Sequence, residues 1–266
     1  MKDFAQLSCM KGKLALITGA FGHLGKTLST TLAELGADLI LVDLKESISL
    51  EYVELLTDTF GIRVQTYSCD LEREDDRKKL ISEVLKIGKL DVLINNAAFV
   101  GTSSLEGWST DFNSQSTNTW RRAFEVNLTA PFDLIRDLSP LLGIGSNGSI
   151  INIGSIYGQV APSWEIYEGT GMSNPAAYAA SKGGLVQLTR WLSTTLAPKI
   201  RVNSILPGGI YRGQDINFVS NYERLTPMGR MANEDDFIGA IGFLASDLSK
   251  YVTGQSMNVD GGWTAR

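Results

Sequence analysis

The sequence predicts an α/β fold, a doubly wound parallel sheet of about seven strands with helices on both faces. Three observations point there. Apolar runs at 13–18, 38–43, 62–67, 90–94, 148–153, 200–206 and 256–260 read as strands, and longer stretches of helical periodicity separate them. The first run, Leu14-Ala-Leu-Ile17, leads through the glycine-rich Thr18-Gly19-Ala-Phe-Gly22-His-Leu-Gly25 into a helical pattern. With 266 residues and 43% hydrophobic content the chain can bury a sizeable core without splitting, so 1–266 is expected to form one domain.

Taken in order, these elements carry a dinucleotide site. Strand, glycine-rich turn and helix make a Rossmann-type fingerprint: Gly19 and Gly22 let the backbone approach a pyrophosphate, and Gly25 lets the helix pack close to the sheet. The helix start offers unpaired N–H groups and its positive dipole end. His23, the only histidine, has no partner nearby for acid–base work and reads as a surface residue bordering the phosphates. The second strand, Asp38-Leu-Ile-Leu-Val42, ends in Asp43, a carboxylate that can accept hydrogen bonds from both ribose hydroxyls and repel a 2′-phosphate. NAD is therefore expected over NADP, against the pull of Lys45; an ordinary strand-end carboxylate is the competing reading. The charged run Asp70-Leu-Glu-Arg-Glu-Asp-Asp-Arg-Lys-Lys79 reads as a helix start with a solvated face. Two connections, Val100 to Thr117 and Ile156 to Ala177, are longer than usual, and both should meet at the carboxyl ends of the strands.

Tyr178-Ala-Ala-Ser-Lys182 places a phenol and an ammonium on one helix face. A free tyrosine titrates near pH ~10, and lowering that by about three units takes about 4 kcal/mol. A neighbouring lysine and a cationic nicotinamide ring can supply it. The chemistry implied is proton transfer at an alcohol oxygen paired with hydride transfer at the adjacent carbon.

With these motifs in this order, the chain resembles the short-chain dehydrogenases/reductases over nearly its whole length. The resemblance puts Asp70 and Leu71 at the adenine and lays the backbone of Asn96, Ala97 and Ala98 along the cofactor. It makes Asn127 (in Val126-Asn-Leu128), Ser155, Tyr178 and Lys182 the catalytic set. In that set Tyr178 is the base, Ser155 hydrogen-bonds the reacting oxygen, Lys182 steadies the phenolate and the nicotinamide ribose, and Asn127 holds a water beside Lys182. Read from the residues alone, Ser155 can simply cap a turn and Asn127 can satisfy local backbone groups. Pro207, Gly208 and Ile210 are expected beneath the nicotinamide, with 209–232 closing over substrate. Thr18, Gly19, Phe21, Gly22, His23, Leu24, Gly25 and Asp43 complete the expected cofactor contacts. A homo-oligomer, tetramer or dimer, is also implied. Three positions depart from the family pattern: His23 stands at the second glycine, Ala98 replaces a glycine, and Arg212 lies where a threonine often meets the nicotinamide amide. The TGxxGxxG spacing resembles the longer, sugar-nucleotide-modifying branch, but that branch's large carboxy-terminal substrate domain has no counterpart in this sequence, so the compact architecture is expected.

Composition limits the partners. No apolar stretch approaches the roughly 20 residues needed to cross a bilayer, and the opening ten residues are too short and polar for a signal peptide. Cys9 and Cys69 have no metal-binding or disulfide spacing, so no metal is expected. A net charge of −5 argues against nucleic-acid binding. A cytoplasmic enzyme with a small-molecule substrate is the expectation. Within the long connection, Ser163 to Pro175 adds Trp164, Tyr167 and two carboxylates, which suit a sugar ring, and Arg212 can meet a phosphate. Ser155-Ile-Tyr-Gly158 and Ile166–Met172 resemble family members associated with bacterial surface sugars and flagellin modification, so a sugar or sugar-nucleotide derivative is the expected substrate, contacted by Ser155, Trp164, Tyr167 and Arg212. The alternatives are a polyol/gluconate-type reductase, a 3-ketoacyl-thioester reductase, which predicts NADP and a basic patch, and a non-catalytic cofactor-binding homologue. The inserted segment has its own alternative, a subunit-contact loop.

Overall fold

The computed structural model describes residues 3–100, 105–145 and 147–266; residues 101–104 of the first long connection lie outside the described residues. Among these, seven parallel strands form one sheet: β1 (Leu14–Thr18), β2 (Asp38–Asp43), β3 (Val64–Ser68), β4 (Val92–Asn95), β5 (Gly148–Ile153), β6 (Ile200–Pro207) and β7 (Ser256–Val259). Their order is β3-β2-β1-β4-β5-β6-β7. The chain therefore reverses direction across the sheet between β1 and β4, which pair through Ala15↔Val92 and Ile17↔Ile94. Such a switch point leaves a crevice at the carboxyl ends of the two strands.

Nine α-helices are described: α1 (Phe4–Ser8), α2 (His23–Glu34), α3 (Leu50–Phe60), α4 (Glu74–Ile87), α5 (Thr117–Phe124), α6 (Ala130–Leu142), α7 (Ala176–Thr195), α8 (Ile216–Leu225) and α9 (Ile238–Ala245). Successive strand residues serve opposite cores. Ile17 and Leu41 join Leu28 and Leu32 of α2 and Ile241 of α9, while Leu16 and Ile40 join Leu80 of α4 and Leu134 of α6. Cover on both faces explains why β1, β4 and β5 are buried at every residue and do not alternate apolar with polar positions. No helix among the described residues is long and apolar enough to cross a membrane.

One feature differs from the sequence expectation, and a second has no counterpart in it. The charged run at 70–79 does start a helix, with Glu74, Asp75 and Asp76 in its first turn, but Arg77 is 2% exposed rather than solvated. Its guanidinium reaches Glu125 (2.6 Å), Asp133 (3.0 Å) and the Leu71 carbonyl (2.7 Å), because charge there is neutralised by partners far along the chain. Between α5 and α6, residues Glu125–Thr129 form a π-helical turn. Such one-residue expansions cluster at functional sites, and this one contains Asn127.

Candidate active site

A cleft of about 810 Å³ opens over the carboxyl ends of β1, β2, β4, β5 and β6. Its floor is laced across the switch point. Thr18 Oγ1 accepts from the backbone N–H groups of Asn96 and Ala97 (both 3.1 Å), and Asn96 Nδ2 donates to the carbonyls of Thr18 (3.0 Å) and Gly19 (2.9 Å). Thr18 is thus a buried strut and does not itself line the cleft. Gly19 has φ +63°, and a Cβ there would sit 2.8 Å from the Ala97 Cα. A Cβ on Gly25 would lie 2.0 Å from the Gly19 carbonyl, so α2 can approach β1 only without a side chain. Gly22 faces no such obstacle and leaves its backbone open at the start of α2.

Asp43 closes the β2 end. Its carboxylate accepts from the N–H of Phe21 and the N–H of Leu44, both at 2.9 Å, which ties the glycine-rich turn to β2. A carboxylate has about four acceptor positions, so capacity for a diol remains. Phe21, Gly22, His23, Leu24, Asp70, Leu71, Ala98 and Ile210 line the same cleft. An open amide turn at a helix start, a carboxylate beyond it and a long cleft fit a dinucleotide.

The catalytic candidates converge at the other end, on Ser155 after β5 and on α7. Gly158 makes the convergence possible: a Cβ there would be 2.8 Å from the Lys182 carbonyl, so the turn after Ser155 packs directly on α7. Lys182 is 2% exposed and its ammonium donates to the Ile153 carbonyl (2.7 Å), 5.8 Å from the centre of the Tyr178 ring. Burial pushes its pKa down to about 8. Burial also raises the Tyr178 phenol above its ordinary 10.0, against the opposing pull of a Ser155 hydrogen bond and the charge of Arg212. Ser155 additionally caps its own turn, accepting from the Tyr157 N–H (3.2 Å), so both readings of that hydroxyl coexist.

Asn127 sits beneath this group. Its Oδ1 accepts from the Phe99 N–H (2.6 Å), and its Nδ2 donates to Ser181 Oγ (3.0 Å) and the Phe99 carbonyl (3.3 Å). The side chain therefore joins the π-turn, the loop after β4 and α7, and it does not line the cleft. Arg212, by contrast, does line it, as does Gln214, which no sequence motif marks. Neither Trp164 nor Tyr167 is among the lining residues. Trp164 is 57% exposed; Tyr167 packs on Phe218 of α8 and shares a hydrogen bond with the Tyr157 hydroxyl (2.9 Å). Phe99, Val126 and Arg122 also line the cleft without having been expected there. Val126 adjoins a matched motif, whereas the Arg122–Glu72 pair (2.7 and 3.0 Å) joins residues too distant in sequence to signal each other.

The protein-family model described as "Enoyl-(Acyl carrier protein) reductase" matches residues 19–264. The chain belongs to the short-chain dehydrogenase/reductase family. As a member it is an NAD(P)-dependent oxidoreductase acting on CH–OH groups. This short-chain dehydrogenase/reductase is 34% identical to a 2-dehydro-3-deoxy-D-gluconate 5-dehydrogenase of Pseudoalteromonas atlantica, over 97% of this chain and 98% of that one. A crystal structure of a gluconate 5-dehydrogenase from Burkholderia cenocepacia, in complex with NADP and tartrate, superposes with a TM-score of 0.86 at 27% identity, covering 99% of this chain and 100% of that one. A short-chain dehydrogenase from Leptospira borgpetersenii with bound NAD+ gives 0.83 at 32% identity, covering 99% and 96%.

Proposed function

We propose that the chain uses NAD to interconvert a secondary alcohol and a ketone on a small polyhydroxylated substrate of the polyol or sugar-acid type. The observation that carries this is the convergence of Ser155, Tyr178 and Lys182 at one end of a cleft whose other end suits a dinucleotide. Ser155 donates a hydrogen bond to the substrate oxygen, and Tyr178 Oη takes the hydroxyl proton. Lys182, held on the Ile153 carbonyl, places positive charge beside the phenol. Asn127 fixes the loop after β4 and the start of α7 so that these groups keep their spacing. When bound, the nicotinamide would supply the hydride exchange and, oxidised, a charge that favours the phenolate.

The preference for NAD rests on Asp43 and Glu46, two carboxylates at the β2 end of the cleft, and stands against similar solved structures that hold NADP in two cases and NAD+ in one. A surface-glycan role gains no support from the geometry, because neither Trp164 nor Tyr167 lines the cleft, and the gluconate-type relatives favour a sugar acid or polyol instead. We also read the chain as a cytoplasmic homo-oligomer, with exposed Trp120, Phe132 and Trp191 on α5, α6 and α7 as the surface to be covered.

Nicotinamide absorbance with NAD or NADP and a panel of polyols, sugar acids, sugar phosphates and acyl thioesters tests the proposal. Reduction of NAD by a polyol or sugar acid is expected, and activity confined to acyl thioesters with NADP refutes it. Tyr178→Phe should lower turnover by about 10²–10⁴-fold with NAD affinity nearly intact. Near-normal turnover would exclude Tyr178 as the base.

A further inference from the structure

We infer that the substrate carries a carboxylate and that Arg212 receives it. The inference deepens the proposed function and rests on it. Arg212 lines the cleft together with Ser155 and Tyr178. It is held from two sides: its Nε donates to Glu234 Oε1 (3.1 Å) and its backbone N–H to Gln214 Oε1 (2.7 Å), while Gln214 Nε2 donates to the Ile210 carbonyl (2.7 Å). The terminal amino groups make no hydrogen bond among the described residues. A guanidinium fixed at Nε and open at both Nη atoms presents two parallel donors, the geometry that matches the two oxygens of one carboxylate.

The other cations lining the cleft are engaged. Arg122 clamps Glu72 through Nε and Nη2, and Lys182 donates to the Ile153 carbonyl. Arg212 is thus the cleft-lining arginine whose two terminal amino groups both remain open among the described residues, and its charge is felt at the reacting end, where it acts on the Tyr178 phenol. The anion it fits is singly charged. Glu234 already sits on the same guanidinium and would repel a dianionic phosphate more than a carboxylate. At 42% side-chain exposure the interaction should weaken with salt.

The test compares D-gluconate with D-glucitol, which has the same hydroxyl chain without the carboxylate, by calorimetric titration into NADH-saturated protein, where neither alcohol can be oxidised and the heat reports binding alone. Wild type should bind gluconate at least about tenfold more tightly, equivalent to about 1.4 kcal/mol. Arg212→Gln should abolish that preference while leaving glucitol binding, NAD binding and the melting temperature essentially unchanged; Arg212→Lys, which keeps the charge and loses the fork, should fall between. Equal binding of both probes by wild type, failure of wild type to bind gluconate, or a preference retained in Arg212→Gln overturns the inference. So does a tenfold loss of NAD affinity in Arg212→Gln, which would put the guanidinium on the cofactor. Turnover of neutral polyols without any preference for acids defeats this inference alone, whereas absence of NAD reduction across the whole panel defeats the reading beneath it.

Discussion

Lys182 holds its ammonium on a single carbonyl with almost no access to water, and burial takes its pKa from an ordinary 10.5 to about 8. The sign of the consequence follows from proton counting. Between pH 8 and pH 10.5 the unfolded chain binds more protons at this site than the folded chain, so stability contributed by Lys182 rises with pH across that window. Below pH 8 the full penalty of a buried ammonium is present. Urea unfolding of wild type and Lys182→Met should therefore show a difference that shifts in favour of wild type by up to about 3 kcal/mol between pH 7 and pH 10.5. A pH-independent difference would mean that the ammonium is hydrated. At this scale the identity and spacing of Tyr178 and Lys182 are legible in the sequence, because i and i+4 share a face in any helix. Their protonation is not legible. It depends on burial contributed by β5, the 156–158 turn and α7 together, and that burial raises the phenol where the bare pair predicts a lowered one.

The glycine-rich turn shows how one motif hides two requirements. Gly19 and Gly25 are demanded by the protein itself, the first by φ +63° and the Ala97 backbone, the second by the 2.0 Å approach of the Gly19 carbonyl. Gly22, at φ −69° with only the Gly19 carbonyl at 3.4 Å, has room for a methyl group. Gly25→Ala should consequently lower the melting temperature sharply or prevent soluble folding. Gly22→Ala should keep or slightly raise it, by the roughly 0.4–1 kcal/mol that a compatible glycine replacement yields, while weakening NAD binding. Melting curves and fluorescence titration with NAD read both effects, and equal losses of stability in the two variants would contradict the distinction. The other elements divide in the same way. Helix and strand positions follow from periodicity, whereas the π-turn at Glu125–Thr129 has no compositional signature. Trp164 and Tyr167 have the chemistry of substrate contacts, but the orientation of their loop is set by packing on α8, far along the chain, and composition carries no trace of that.

Across the whole molecule, the alternation of strands and helices suffices to read a parallel sheet covered on both faces, and the glycine-rich turn marks where a ligand should lie. What alternation leaves unread is the set of long-range polar links. Arg77 joins α4 to Glu125 of the π-turn and to Asp133 of α6, partners separated from it by 48 and 56 positions. Arg77→Met would leave Glu125 without its buried cation and Asp133 with only the half-exposed Arg136, and should destabilise the protein by about 3 kcal/mol, measured by urea unfolding. Unchanged stability would show that water screens these carboxylates. The lacing of Thr18 to Asn96 and Ala97, and of Asn96 to Gly19, has a different reach. Because those links are complete in the chain by itself, an arriving dinucleotide need not organise the floor beneath it. Little conformational entropy is then lost on its arrival, and its rate of capture is set by diffusion and orientation rather than by refolding of the cleft.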